Sequence, residues 1–387
     1  MQNGSEQKIK IYFPRENGSG WLGGVNYFKN LLYALSLVNN NEFEPYLADD
    51  NPGVLFKYAK KINRIIFIKD KLIHKILRKK YDRNTSVIKR VDIFSHCYEP
   101  YSGVCSISWI PDFQHLYLPD MFSAQEIINR NNIFKDIAKN ATLVILSSND
   151  ALNDFTKFAP EFAHKGRVLN FVSYINPEIY DLTDRKSQEI KSKLKLPKKY
   201  FYVPNQFWKH KNHITVLKAV SELKKQGIDI KIVFSGHKND CRNKGFFSEI
   251  TKFIEENSIQ ENVKILGIIE LNEVYYLMRN CISIINPSLF EGWSSTVEEA
   301  KSIGKNIILS DLNVHREQNP PNAIYFSALD DKQLAKILQE KWENSSCGPD
   351  FELEKNAKNN MLSRMKKFGE EYKSILYEAA EIYKNQK

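Results

Sequence analysis

The sequence predicts an α/β protein built from two parallel-sheet domains that face each other across a cleft. Three observations carry that expectation. Short apolar, strand-like segments alternate with helical ones, the alternation breaks once in a polar, proline-bounded stretch, and it then starts afresh. The 387 residues suit two domains better than one, and 42% hydrophobic with 26% charged residues is ordinary globular composition.

In chain order, KIYF (10–13) reads as the first strand. Behind it Val25, Phe28, Leu31, Leu32 and Leu35 repeat at helical spacing between Gly24 and Leu37. Strands are expected at 44–48, 91–94, 106–110 and 143–146, with helices near 124–138 and 149–158. Between Ile175 and Lys198 the pattern gives way to charged residues bounded by prolines, which reads as a linker. The second series has strands at 200–203, 231–235, 263–266, 282–285, 307–309 and 324–326, and helices near 213–226 and 246–256. The tail, FGEEYKSILYEAAEIYK, is one more amphipathic helix. The resulting division is a first domain at 1–178, a linker at 179–198, a second domain at 199–366, and a helix at 367–387 that packs back on the first domain.

The net charge of +10 is localised. Lys57 to Arg90 holds 13 Lys/Arg against two Asp, a local +11, which leaves −1 for the remainder. Within it, KLIHKILRKK puts Leu72, Ile73, Ile76 and Leu77 on one helical face, with Lys71, Lys75, Arg78, Lys79 and Lys80 around them. That pattern suits an interfacial helix on an anionic membrane surface; a half-buried helix with a solvated basic face fits it too. No zinc finger, RNP pattern or basic zipper is present, so nucleic acid is not an expected partner. No apolar run is long enough to span a membrane. Five cysteines without a CxxC pair fit a reducing, cytoplasmic compartment.

Four segments can carry chemistry. Gly18-Ser-Gly20-Trp-Leu-Gly23 fits GxGxxG literally, but four residues separate it from the strand end, and Asp49 and Asp50 stand too far along for a dinucleotide site. A glycine-rich loop opening a helix at Gly23-Gly24 would instead offer backbone N–H groups to a phosphate or sugar hydroxyl. In PSLFEGWSSTVEEA (287–300), Glu291 and Gly292 occupy a loop at the carboxyl end of a strand, where α/β proteins bind ligands. Ser295 and Glu298 read as a capping box, while the helix start at Ser295-Thr296 faces an anion and Glu299 follows Glu291 by eight residues. NQFWKHKNH (205–213) puts Gln206, Lys209 and Lys211 in another carboxyl-end loop of the same sheet, so the two loops are expected to converge. In the first domain, WIPDFQHLYLPDMFS (109–123) offers Asp112 and His115 as an acid/base or hydroxyl-binding pair, and His96 lies in the preceding strand-end loop.

Absences narrow the chemistry. There is no GxxxxGK[ST], HExxH, GxSxG or DxD in the chain. Phosphoryl transfer on a P-loop is excluded, and a diphosphate here would be neutralised by lysines and helix ends, with no divalent metal or other cofactor expected.

PSLFEGWSSTVEEAKSIGKNIILSDLNVHREQNP is similar to the long signature of glycosyltransferase family 4, the retaining enzymes of GT-B fold, and YFYVPNQFWKHKNHITVLKAV resembles the segment that holds their donor diphosphate. WIPDFQHLYLPDMFS, LSSNDALNDF and GGVNYFKNLLYAL resemble a bacterial subgroup of mannosyl- and related transferases of surface polysaccharide assembly. The resemblance implies two Rossmann-like domains and retaining transfer of a sugar, mannose among the candidates, from a nucleotide-sugar to a saccharide or lipid-linked acceptor. Glu291 would touch the donor sugar, Glu299 the ribose and Lys211 the diphosphate. Where the family often has Arg this chain has Gln206, with Lys209 as the candidate substitute. Where it usually has His before Asp this chain has Pro111, with His115 the nearest alternative. The enzyme would be cytoplasmic, with the basic helix as a peripheral contact on the inner face of the cell membrane. The competing functions are a non-catalytic nucleotide-sugar-binding partner of an assembly complex, or another enzyme of this fold such as a phosphorylase or an epimerase.

Overall fold

The computed structural model describes residues 8–14, 22–48, 53–61, 71, 72, 75, 83–101, 103–181 and 184–386. The chain divides into two compact units, one comprising 1–113, 124–172 and 363–387, the other 114–123 and 173–362.

The first unit contains β1 (Ile9–Phe13), β2 (Phe43–Leu47), β3 (Lys60–Lys61), β4 (Ile93–Cys97), β5 (Cys105–Ile110), β6 (Leu143–Leu146) and β7 (Gly166–Val168). They form one parallel sheet in the order β3-β2-β1-β4-β5-β6-β7. β6, LVIL, is an apolar run buried on both faces, and β4 and β5 are buried throughout although they include Ser and His. The second unit carries β8 (Phe201–Val203), β9 (Ile232–Phe234), β10 (Val263–Ile265), β11 (Ile284–Asn286), β12 (Ile307–Ser310) and β13 (Ile324–Phe326). Their order is β10-β9-β8-β11-β12-β13, again all parallel. Phe201, Val203, Ile232, Phe234, Ile285 and Ile308 belong to its core. In each sheet the strand order reverses once, at β1/β4 and at β8/β11. Crevices for ligands open at such points, beyond the carboxyl ends of the strands.

Several boundaries differ from the sequence expectation. The stretch read as a linker, 179–198, holds a helix, Asp184–Leu194, and belongs to the second unit. Its charged residues face solvent, and Lys193 Nζ anchors it 2.6 Å from Glu273 Oε1. The tail helix is longer than expected, Phe351–Asn385, and the division falls within it at 362/363. Its first turn is held in the second unit by Arg279, whose Nε and Nη2 lie 2.6 and 3.1 Å from the Glu354 carboxylate. Its later turns belong to the first unit, where Arg167 pairs with Glu378 and Tyr372 Oη lies 2.7 Å from Ser95 Oγ. Gly369 lets this helix approach the helix Leu22–Val38 closely, because a Cβ there would collide with the Ala34 carbonyl.

Lys71, Leu72 and Lys75 are helical and exposed, whereas Arg78, Lys79 and Lys80, together with Gly18, Gly20, Asp49 and Asp50, lie outside the described residues. No helix among the described residues is long and apolar enough to cross a membrane.

Candidate active site

The loops that follow β8 and β11 leave adjacent strands at the reversal point of the second sheet, and they are stitched together. Asn205 Nδ2 donates to Asn286 Oδ1 (3.1 Å), and Asn286 Nδ2 donates to Ser294 Oγ (2.7 Å). Asn212 Nδ2 reaches the Pro287 carbonyl (2.9 Å), and the Leu289 N–H donates to the His210 carbonyl (2.8 Å). Asn212 adopts the left-handed region at φ 55°, which turns the chain from the short 3₁₀ turn Lys209–Lys211 into the helix His213–Lys225. Gly236, after β9, packs so close to Asn205 that a Cβ would strike its carbonyl.

This frame brings Lys211 and Glu291 together. Lys211 Nζ lies 2.6 Å from Glu291 Oε1, with the two side chains only 18% and 8% exposed, and Ser288 Oγ is 2.7 Å from the same oxygen. Burial, the largest single influence, pushes the Glu291 carboxyl up, but Lys211, His315 and His210 together outweigh it and hold the acid down, at about 2. His210 and His315 also face this carboxylate. Burial lowers both rings, so they are neutral at pH 7 and Lys211 is the cation that matters. Removing one partner from a buried pair of this kind costs about 3–5 kcal/mol, because the other charge is left without compensation.

The remaining expected residues divide. Lys209 is exposed and Gln206 half-buried; the Lys209 N–H is fixed 3.0 Å from Asp240 Oδ2. Gly292 is half-buried, Ser295 exposed, and Thr296 buried with its hydroxyl 3.5 Å from Asn205 Oδ1. The expected capping box does not form: Ser294, not Ser295, caps the helix Ser295–Ile303 by accepting from the Val297 N–H, and the third helical position is Val297. Glu298 is structural by another route, pairing with Lys301 (3.1 Å) and accepting from Gln318 Nε2 (3.1 Å). Glu299 keeps part of its surface in solvent, yet its carboxyl sits deep enough that burial raises it to about 8. Its charge acts on the phenols of Tyr202 and Tyr275, which burial and this carboxylate together raise.

In the first unit, Gly23 and Gly24 lie inside the first turn of the helix Leu22–Val38, which starts at most two residues before the expected opening. Gly24 is buried and Gly23 exposed. Asp112 is half-buried, and His115 is buried in the short helix Gln114–Tyr117. His96 is part of β4 rather than a loop. It is fully buried at φ 58°, its ring nitrogens 2.7 Å from Tyr27 Oη and 2.8 Å from Ser95 Oγ, and burial lowers it to about 3. Such a ring is a neutral part of the core. Among the described residues no cluster of His, Cys, Asp or Glu is arranged to hold a metal ion.

Residues 184–363, which include both loops, match the family of glycosyl transferases group 1. A stretch of 105 residues is 31% identical to EpsF of Bacillus subtilis (strain 168), covering 27% of this chain and only 25% of that relative's length. Whole-chain similarity is to solved structures. A glycosyltransferase from Rickettsia africae ESF-5 superposes with a TM-score of 0.64 at 15% identity, covering 98% of this chain and 99% of that one. HepE of Anabaena, in complex with UDP-glucose, gives 0.62 at 14% identity with the same coverage. Sucrose-phosphate synthase of Thermosynechococcus elongatus gives 0.63 at 13% identity, again over 98% and 99% of the two chains. The two parallel-sheet units are those of the GT-B fold.

The raised Glu299 carboxyl gives a pH dependence with a definite sign. The folded state keeps a proton that the unfolded state gives up near pH 4, so stability falls as pH rises from about 4 to about 8. Glu299→Gln removes that loss. Its melting temperature, measured against the parent by thermal denaturation, should gain most near pH 8 and converge with it near pH 4. A gap independent of pH would contradict the assignment.

Proposed function

We propose that this chain is a glycosyltransferase that moves a sugar from a nucleotide-sugar to an acceptor hydroxyl with retention of anomeric configuration. The observation that carries the proposal is the Lys211–Glu291 ion pair at the reversal point of the second sheet, within the segment that matches the glycosyl transferases group 1 family. Nucleotide-sugars are supported as donors by HepE, whose structure holds UDP-glucose.

In this mechanism Glu291 is an acceptor-only carboxylate, kept ionised by Lys211, that receives hydroxyl hydrogens of the donor sugar. Lys211 has three N–H donors. Those not directed at Glu291 reach the donor diphosphate, where negative charge grows as the glycosidic bond breaks. The leaving diphosphate takes the acceptor proton on the same face, so no protein nucleophile is required and catalysis is largely placement and charge stabilisation. Glu299 addresses the nucleotide ribose, and its raised carboxyl can donate as well as accept there. We assign the diphosphate to lysines and backbone N–H groups rather than to a divalent metal, and acceptor binding to the first unit. The acceptor is a saccharide or lipid-linked hydroxyl compound of bacterial surface polysaccharide synthesis, with mannose one candidate for the transferred sugar.

Lys211→Ala should lower turnover by about 10²-fold or more, the scale of losing one preorganised charge contact. Glu291→Gln should lower transfer more than nucleotide binding. Steady-state kinetics paired with nucleotide titrations check both; near-normal turnover in the first variant, or equal losses in the second, would refute the roles.

The basic stretch supports a peripheral contact of this cytoplasmic enzyme with anionic lipid, through a helix in which Lys71, Leu72 and Lys75 are exposed. The protein should float with vesicles containing anionic lipid, remain behind with neutral ones, and detach in high salt. Equal flotation with both kinds of vesicle would remove the electrostatic contact.

A further inference from the structure

Charge at the candidate site does not yet balance a diphosphate. Lys211 is already neutralised by Glu291, and the nearby histidines are uncharged. One further cation is built into the same end of the sheet, from the loop after β9. Asp240 binds two segments at once: Oδ2 accepts from the Lys209 N–H (3.0 Å) and Oδ1 from the Arg242 N–H (3.0 Å), while Asn243 Nδ2 adds a third contact (3.1 Å). The Phe207 N–H donates to the His237 carbonyl (3.0 Å), and Gly236 seats against Asn205. The Arg242 loop is therefore fastened along the Gln206–Lys211 loop, and the charge of Arg242 is felt by His210 beside Lys211 and Glu291.

The guanidinium is half-buried and stacked, 4.6 Å from the Phe122 ring centre and 5.7 Å from that of Trp208. Its Nη1 donates to the neutral Gln114 Oε1 at 3.0 Å, and among the described residues no carboxylate side chain forms an ion pair with it. Its charge is thus held against two aromatic faces with a neutral hydrogen-bond partner. A guanidinium also carries five N–H donors in a planar fork that a phosphate can meet with two oxygens at once. Phosphate oxygens would bring the opposite charge that the Gln114 amide oxygen lacks.

We propose that Arg242 is a donor-binding residue that supplies the second fixed positive charge for the diphosphate, at a site from which Gln206 supplies none. The proposal rests on the transferase assignment above and adds to it the residue that makes metal-free diphosphate binding electrostatically sufficient.

The test is calorimetric titration of the full chain with UDP, GDP and ADP, after which the tightest is compared with its own nucleoside. Arg242→Gln should weaken the diphosphate by about tenfold or more, the scale of a hydrogen bond to a charged group, and leave the nucleoside affinity unchanged. Arg242→Lys, which keeps the charge but loses the fork, should fall between. An unchanged diphosphate affinity in Arg242→Gln would overturn the proposal, as would an equal loss for nucleoside and diphosphate, which would make Arg242 a support of the Gln114–Ser123 segment. If Lys211→Ala loses diphosphate binding and Arg242→Gln does not, only the present proposal fails. If the unaltered chain binds none of the diphosphates, the transferase assignment fails with it.

Discussion

The arrangement of the second unit depends on one adjacency. β8 and β11 are neighbours although 80 residues separate Lys211 from Glu291, because the intervening strands are wound outward on the β8 side before the chain crosses over. Their two loops therefore leave the sheet side by side. Three asparagine amides tie them together before any charge is considered: Asn205, Asn212 and Asn286 satisfy one another's loop or its carbonyls. Within that frame a lysine and a glutamate are held in contact, nearly out of water. The pair is stable only because its partners are fixed; on mobile loops the cost of removing both ions from water would exceed their attraction.

The two acids, eight positions apart, are shifted in opposite directions. Glu291 has Lys211 and the Ser288 hydroxyl. Glu299 is raised by burial, with no ion pair among the described residues, and its carboxyl moves the other way. Two carboxylates with opposite shifts at one end of a sheet provide one group that only accepts hydrogen bonds and one that can also donate. A ligand with hydroxyls at one end and a ribose at the other would use both.

Much of the fold was legible in the sequence because short apolar segments bounded by turns alternate with longer segments of helical spacing. β6 and the helices Asn149–Phe158 and Phe246–Glu256 fall where expected to the residue. What escaped was short or stabilised from elsewhere. β3 is two exposed lysines and β7 three residues, too brief to show alternation. The helix Asp184–Leu194 looked like a linker because its exposed face dominates its composition, and its anchor is an ion pair to Glu273, 80 residues on. At the site, Lys211 and Glu291 were readable from loop position and from resemblance. Arg242 was not, because nothing in CRNKGFF signals that Asp240 fastens it beside Lys209. His96 and His115 illustrate the converse: a histidine near a strand end suggests chemistry, yet both rings are buried.

The claim at the centre of this account is that the frame around Lys211 and Glu291 takes a nucleotide-sugar. Thermal denaturation of the full chain across a panel of nucleotide-sugars tests it most directly. A ligand present at 100 times its dissociation constant adds about 2.7 kcal/mol to stability, so at least one nucleotide-sugar should raise the melting temperature in proportion to the logarithm of its concentration. Melting curves that no member of the panel displaces would contradict it.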